Sequence, residues 1–261
     1  MGEHVIGAIV GDIVGSVYEW RRIKTKSFEF FVDQCECTDD SICTAAVADI
    51  LMHGFPPAQT LQRWCREHPR GDYGGRFADW IVMDPPRPYD SFGNGAAMRV
   101  SPAAYLNRDG DLSDALEASD LVTGVTHNHP EGLKGARATV HAIWLAFQGE
   151  PANGIRKGVA KTYGYDLSRG VDAIRPGYHF NEICQTTVPE AITCALESES
   201  FEDAIRNAVS LGGDSDTLAA IAGPIAEALH GIPADIQAEA KDRFIPADIL
   251  AIVCEMYGTS S

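Results

Sequence analysis

The sequence is short of positive charge. Lys and Arg number 21 against 37 Asp and Glu, a net charge of −16 over 261 residues. Direct partnership with nucleic acid or an anionic membrane needs a basic face, so neither is expected. No apolar run is long enough to span a bilayer. The opening Met1-Gly2-Glu3-His4 has no basic segment of the secretory kind and leads to no small-residue cleavage site. There are seven cysteines but no CxxC pair, which removes the usual spacing for structural zinc. A secreted disulfide framework would be denser in a shorter chain. Cys43, Cys194 and Cys254 sit in apolar helical surroundings and read as small core residues. A reducing cytoplasm is the expected compartment. Neither GxGxxG nor a Gly-Lys-Ser/Thr phosphate loop occurs. Fixed-period repeats, low-complexity tracts and linkers are missing too.

Period-two alternation is also scarce, which leaves helical periodicity to organise the chain. Val5 to Ser16 reads as a helix with Gly7, Gly11 and Gly15 on one face, a row best explained by close approach of another backbone. Trp20 to Cys37 is an irregular aromatic excursion. From Thr38, residues Cys43, Val47, Ile50 and Leu51 form one buried stripe. Further helices are expected near 58–68, 74–83, 96–106, 112–124, 131–148 and 152–162. They resume near 189–197, 201–210, 215–230, 234–243 and 246–257. Ser200 and Asp203 have capping-box spacing. Gly164 to Cys184 carries turn residues and leaves room for a short strand. With 45% hydrophobic and 22% charged residues a sizeable core is affordable, so the expectation is one compact all-α domain spanning 1–261.

Two acidic clusters lie far apart: Thr38-Asp39-Asp40-Ser41, and Gly212-Gly213-Asp214-Ser215-Asp216-Thr217. Singly, each reads first as a helix cap with an acidic first turn. Adjacent carboxylates exceed what a cap needs and repel unless a cation or proton intervenes. Together they offer the oxygen-rich donors that hard divalent cations prefer.

The order of motifs identifies the pair. Gly7-Ala8-Ile9-Val10-Gly11-Asp12-Ile13-Val14-Gly15-Ser16-Val17-Tyr18-Glu19 comes first, then Thr38-Asp39-Asp40. Asp90-Ser91-Phe92-Gly93-Asn94-Gly95-Ala96-Ala97-Met98-Arg99, Thr126-His127 and Gly212 to Thr217 follow. The series, covering nearly the whole chain, resembles the ADP-ribosylglycohydrolase family. The resemblance implies an all-α fold with a dinuclear centre of two Mg²⁺ or Mn²⁺ ions, held by Thr38, Asp39, Asp40, Asp214, Asp216 and Thr217. It implies Glu19 as a guard of that centre, with the excursion after it as a flap, and Asp39 or Asp40 as proton relay. It also implies a substrate loop of Ser91, Phe92, Gly93, Asn94 and Gly95, with Phe92 against the adenine. Tyr73-Gly74-Gly75 and His127 would complete the substrate contacts.

Since the chain is acidic, a diphosphate would have to be held locally, and backbone amides in the glycine turns and at helix starts are the expected donors. The partners implied are ADP-ribose and an ADP-ribosylated acceptor, expected to be protein. Serine and poly-ADP-ribose linkages stay open beside arginine, to which Glu29, Asp33 and Glu36 in the excursion give a slight preference. A catalytically silent ADP-ribose-binding module and a metal-dependent phosphohydrolase are the alternatives.

Overall fold

The computed structural model describes residues 6–258; Val5, expected in the first helix, lies outside them. Among the described residues there are fourteen α-helices and no strand. In chain order they are α1 (Gly7–Ser16), α2 (Asp39–His53), α3 (Pro57–Glu67), α4 (Gly75–Ile81), α5 (Ser101–Leu106), α6 (Leu112–Thr123) and α7 (Pro130–Phe147). Then follow α8 (Ala152–Tyr163), α9 (Val171–Ile174), α10 (Cys184–Leu196), α11 (Phe201–Ser210), α12 (Ser215–His230), α13 (Ala234–Arg243) and α14 (Ala247–Met256).

At the centre, α1 and α12 lie against each other antiparallel, and the glycine row explains why. A Cβ on Gly7 would sit 2.5 Å from the Gly223 carbonyl oxygen, one on Gly11 2.2 Å from that of Ala219, and one on Gly15 2.4 Å from the Asp216 Cα. Only residues without side chains there let the backbones meet. This contact brings the C-terminal end of α1 to the N-terminal end of α12, so Asp12 and Asp216 become neighbours. Both helices are buried almost throughout, as the apolar composition of α12 requires.

Several local signals act as expected. Ser200 Oγ accepts from the Asp203 amide at 3.1 Å, and Asp203 reaches back to the Glu199 amide at 3.2 Å, satisfying two donors at the start of α11. Cys43, Cys194 and Cys254 are buried in the core.

Two stretches differ. The helix expected over 96–106 begins only at Ser101, with Pro102 in its first turn, a position that tolerates the missing N–H. A 3-10 turn at Asn94–Ala96 precedes it. Helix α10 starts at Cys184, and Pro189 sits inside it rather than opening it. Instead of a strand, residues 164–184 contain α9 and a single antiparallel bridge between Gly93 and Ile183. In that bridge the Asn94 amide donates to the Glu182 carbonyl at 2.9 Å and the Cys184 amide to the Phe92 carbonyl at 3.0 Å. The bridge fixes the Ser91–Gly95 loop against the start of α10.

The excursion after Glu19 is irregular but closely tied down. Lys24 Nζ donates to the carbonyls of Arg175 (2.8 Å), Tyr178 (2.6 Å) and Leu211. Arg206 donates to the carbonyls of Lys26 (3.0 Å) and Phe28 (2.6 Å) and lies over the Phe28 ring.

Candidate active site

The acidic clusters meet where α1, α2 and α12 converge. Single oxygens of Asp12, Asp40 and Asp216 lie within 4.8 Å of one another, and so do those of Glu19, Asp214 and Asp216. Asp216 thus belongs to both groups. The two turns, some 175 residues apart in sequence (Asp40 and Asp214 differ by 174 positions), form one site.

Asp12 was not singled out as a site residue from sequence, and it organises this corner. It is fully buried, and accepts from the Thr38 amide (2.9 Å), the Thr38 hydroxyl (2.7 Å), the Ser41 amide (3.1 Å) and the Ser41 hydroxyl. The amides at the start of α2 are therefore capped by an aspartate from α1. Thr38, expected among the metal ligands, spends its hydroxyl proton on Asp12 and accepts from the Asp40 amide at 3.4 Å. The signal for Asp12 was a charge in the middle of an otherwise apolar helix.

Burial and mutual repulsion raise the acids. Burial, then Asp216, pushes Asp12 up to about 7. Burial, with Asp216, Asp72 and Glu182, raises Glu19 to about 8. Asp40 and Asp214 are held well above the usual carboxylate range by burial and then by Asp216. Asp39, half-buried at the surface of the cavity, is raised by burial and then by Cys43. Asp40 Oδ1 is buried with no hydrogen-bond partner among the described residues. So dense a carboxylate group, with an orphaned oxygen in it, has the donor chemistry of a hard-cation site. Neither close trio of carboxylates includes Asp39. Thr217 Oγ1 lies 3.4 Å from Asp40 Oδ2.

The carboxylates floor a cavity of about 480 Å³, a size suited to a nucleotide-scale ligand. Its wall includes Glu19, Asp39, Asp40, Asp214, Asp216 and Thr217 together with Tyr73, Gly74, Gly75, Ser91, Gly93, Asn94, Gly95 and His127. Thr38 and Phe92 are not in it. Phe92 is 39% exposed, and its ring lies 5.1 Å from that of His129.

Two of the amides expected to serve the substrate loop have acceptors within the protein. The Gly93 amide donates to Ser91 Oγ at 3.1 Å and the Asn94 amide to the Glu182 carbonyl, so both are already engaged. No α-helix begins at Ala96 to supply more. Asn94 contributes its side chain instead, donating to Asp214 Oδ2 at 2.7 Å and so tying the loop to the second acidic turn. Tyr73 likewise donates its hydroxyl to the carbonyls of Cys65 (3.2 Å) and His68 (2.8 Å).

Positive charge comes from residues that sequence reading left out. Arg76 and Arg99 line the cavity beside His127 and Tyr89. Arg76 lies over the Tyr89 ring at 4.9 Å and donates to its carbonyl. Arg99 closes the motif that begins at Asp90, and an arginine between Met98 and Val100 in a buried run was its only sign. At the mouth stand Trp20, 66% exposed, with Asp72 and Glu182. Glu29, Asp33 and Glu36, expected to make an acidic entrance, are not in this wall. Asp33 pairs with Arg243 at 2.7 Å beside a separate shallow cavity.

Among the described residues an all-helical fold gathers carboxylates that could hold a metal ion, and two arginines, in one nucleotide-sized cavity. Residues 3–257 match the ADP-ribosylglycohydrolase family, and the chain belongs to it. Over 268 residues it is 26% identical to the ADP-ribosylarginine hydrolase Tri1 of Pseudomonas putida (strain GB-1), covering 87% of this chain and 70% of that protein. It is 25% identical to the ADP-ribosylhydrolase ARH3 of Mus musculus, covering 94% and 88%. A solved ADP-ribosylglycohydrolase-related protein complex has the same fold, with a TM-score of 0.71 at 21% identity over 98% of this chain and 97% of that one. The protein is an ADP-ribosylglycohydrolase by family and a hydrolase by class.

Proposed function

We propose that the protein hydrolyses the glycosidic bond between ADP-ribose and a modified acceptor protein, reversing ADP-ribosylation, with arginine as the acceptor side chain. The observation that carries this is the polarity of one cavity. Asp40, Asp214, Asp216 and Glu19 cluster in its lining, and Arg76 and Arg99 form a second, cationic group beside the neutral His127. A ribose bearing a diphosphate has the matching distribution, since hydroxyls and developing positive charge belong with the acids and phosphates with the cations.

The acid set fits two hard cations, Mg²⁺ or Mn²⁺. Asp39, Asp40, Asp214, Asp216 and Thr217 would hold them, with Thr38 through a remaining lone pair. When bound, such ions supply Lewis acidity towards ribose hydroxyls and water. The chain's own residues do the rest. The carboxylate floor stabilises the positive charge that develops on the ribose as the bond breaks. Asp39 or Asp40 passes a proton between water and the departing nitrogen. Glu19, beside Asp214 and Asp216 at the mouth, covers the floor. Asp12 stays out of the chemistry and positions the start of α2.

Support for arginine comes from the mouth, where Glu19, Asp72 and Glu182 face a leaving group that is a cationic guanidinium. It also comes from the Pseudomonas relative, whose name is that of an ADP-ribosylarginine hydrolase. Seven cysteines without a CxxC pair suit a reducing, cytoplasmic compartment.

The test offers purified protein arginine-linked, serine-linked and poly-ADP-ribose substrates, with Mg²⁺ or with chelator, and identifies the product. Intact ADP-ribose from the arginine substrate, lost with chelator, is expected. AMP with ribose phosphate would instead mark a phosphohydrolase, and binding without release would mark a silent module.

A further inference from the structure

Arg99 is an anomaly in energetic terms. Its side chain is among the largest in the core, 1% exposed, and among the described residues no carboxylate pairs with it. Its Nε has no hydrogen-bond partner among them either. What surrounds it is a hydroxyl, an imidazole, the Phe77 ring at 5.6 Å and the Cys43 thiol. A buried guanidinium without a carboxylate partner is costly and calls for a role.

The contacts supply one. Arg99 Nη2 donates to Thr126 Oγ1 at 2.6 Å, and Thr126 Oγ1 lies 2.7 Å from His127 Nδ1. Arg99 Nη2 is itself 3.4 Å from that nitrogen. An arginine can only donate. The Arg99 Nη2–H directed at Nδ1 needs an acceptor there, and a bare Nδ1 also accepts the Thr126 hydroxyl, whose lone pair is held by Arg99. The ring proton therefore belongs on Nε2. That atom faces the glycines of the substrate loop, 3.5 Å from where a Cβ on Gly93 would be and 3.4 Å from one on Gly95. Larger residues at either position would cover it.

We propose that Arg99 and Thr126 are positioning residues that hold His127 as a neutral Nε2–H donor, aimed past Gly93 and Gly95 at an anionic oxygen of the bound ADP-ribose diphosphate. This rests on the function proposed above for the same cavity. The environment agrees: burial, then Arg99 and Arg76, holds His127 well below the ordinary histidine value. A neutral imidazole presents one donor of fixed direction, and the guanidinium behind it gives that donor its polarity without being titrated itself.

The experiment is ¹⁵N-histidine NMR of the full chain from pH 5.5 to 8, paired with steady-state kinetics on ADP-ribosyl-arginine substrate. In the parent, His127 should stay neutral with the proton on Nε2 throughout. Thr126→Val, close to isosteric, should let the ring exchange tautomers and raise KM about tenfold with kcat changed far less, the loss of one hydrogen bond to a charged group. Thr126→Ser should restore both signals. Arg99→Lys keeps the charge but not the fork, and should show the same KM-weighted defect; melting curves check that each variant is folded. A parent His127 that titrates near its ordinary value overturns the proposal, as does Thr126→Val with unaltered tautomer and KM. If the parent releases no ADP-ribose from any substrate, the functional reading fails instead, and the tautomer measurement still decides the Arg99–Thr126–His127 chain.

Discussion

Asp12 and Asp40 come within 4.8 Å of each other through single oxygens, yet their surroundings give them opposite duties. Asp12 accepts from two amides and two hydroxyls, so its negative charge is answered by the protein. Asp40 leaves Oδ1 with no partner, so its charge is answered only by a proton or a cation. Changing each to asparagine should separate these duties. Asp12→Asn turns an NH₂ towards donors and should cost about 2–3 kcal/mol of stability. In chelator at pH 8, Asp40→Asn removes a like charge and should melt no lower than the parent, while turnover falls roughly 10²–10³-fold or more. Melting curves and ADP-ribose release check both; an Asp40→Asn protein that keeps its turnover would remove Asp40 from the chemistry. Sequence made Asp40 legible because Asp39 stands beside it and the pair exceeds any capping need. Asp12 stayed hidden because a lone aspartate in an apolar helix shows its use only through partners far along the chain. Arg99 and Arg76 are hidden for the same reason: in so acidic a chain nothing local indicates that two arginines share a wall with His127.

Among the elements, the pairing of α1 with α12 determines whether a site exists at all, because it sets Asp12 beside Asp216. The glycine face permits it. Gly11→Ala would place a methyl 2.2 Å from the Ala219 carbonyl oxygen, and backbone on both sides leaves nothing flexible to give way. The substitution should cost about 3 kcal/mol, roughly 10 °C in melting temperature. It should also lower activity in the protein that remains folded, since the two acidic turns are forced apart. Gly54→Ala offers a control, because no atom lies within 4 Å of the added carbon and only the left-handed φ of 66° opposes it. Equal losses at the two positions would contradict the close-packing account. Helix existence was legible from period and caps, down to the Ser200–Asp203 box. Starts went wrong where proline misled: Pro189 invites a boundary, but the contact of the Cys184 amide with the Phe92 carbonyl starts the helix five residues earlier. The substrate loop was legible as a motif and not as a shape, because its form comes from the Gly93–Ile183 bridge, a long-range pairing.

For the molecule as a whole, the acid floor links stability to both pH and divalent cation. Asp12 is raised to about 7 and Glu19 to about 8, chiefly by burial and then by Asp216, from values near 4 in the unfolded chain. Groups raised in the folded state hold their protons there after the unfolded chain has released its own. Their contribution to stability is therefore full below pH 4 and is lost as pH rises through 7 and 8. Without divalent cation, the melting temperature should fall across pH 5.5 to 8.5. A cation bound only by the folded chain adds RT ln(1 + [L]/Kd), and its Kd tightens as the carboxylates lose the protons that compete with it. The Mg²⁺-induced rise in melting temperature should accordingly be small at pH 5.5 and grow towards pH 8, opposing the decline seen in chelator. Because a chain of net charge −16 attracts cations everywhere, the same titration belongs on Asp40→Asn/Asp216→Asn at equal ionic strength. That variant keeps the general acidity and loses the floor, so its Mg²⁺ response should be flat with pH. A parental response equally flat, or one preserved in the double variant, would place the cation on the surface and leave the two acidic turns as paired helix caps.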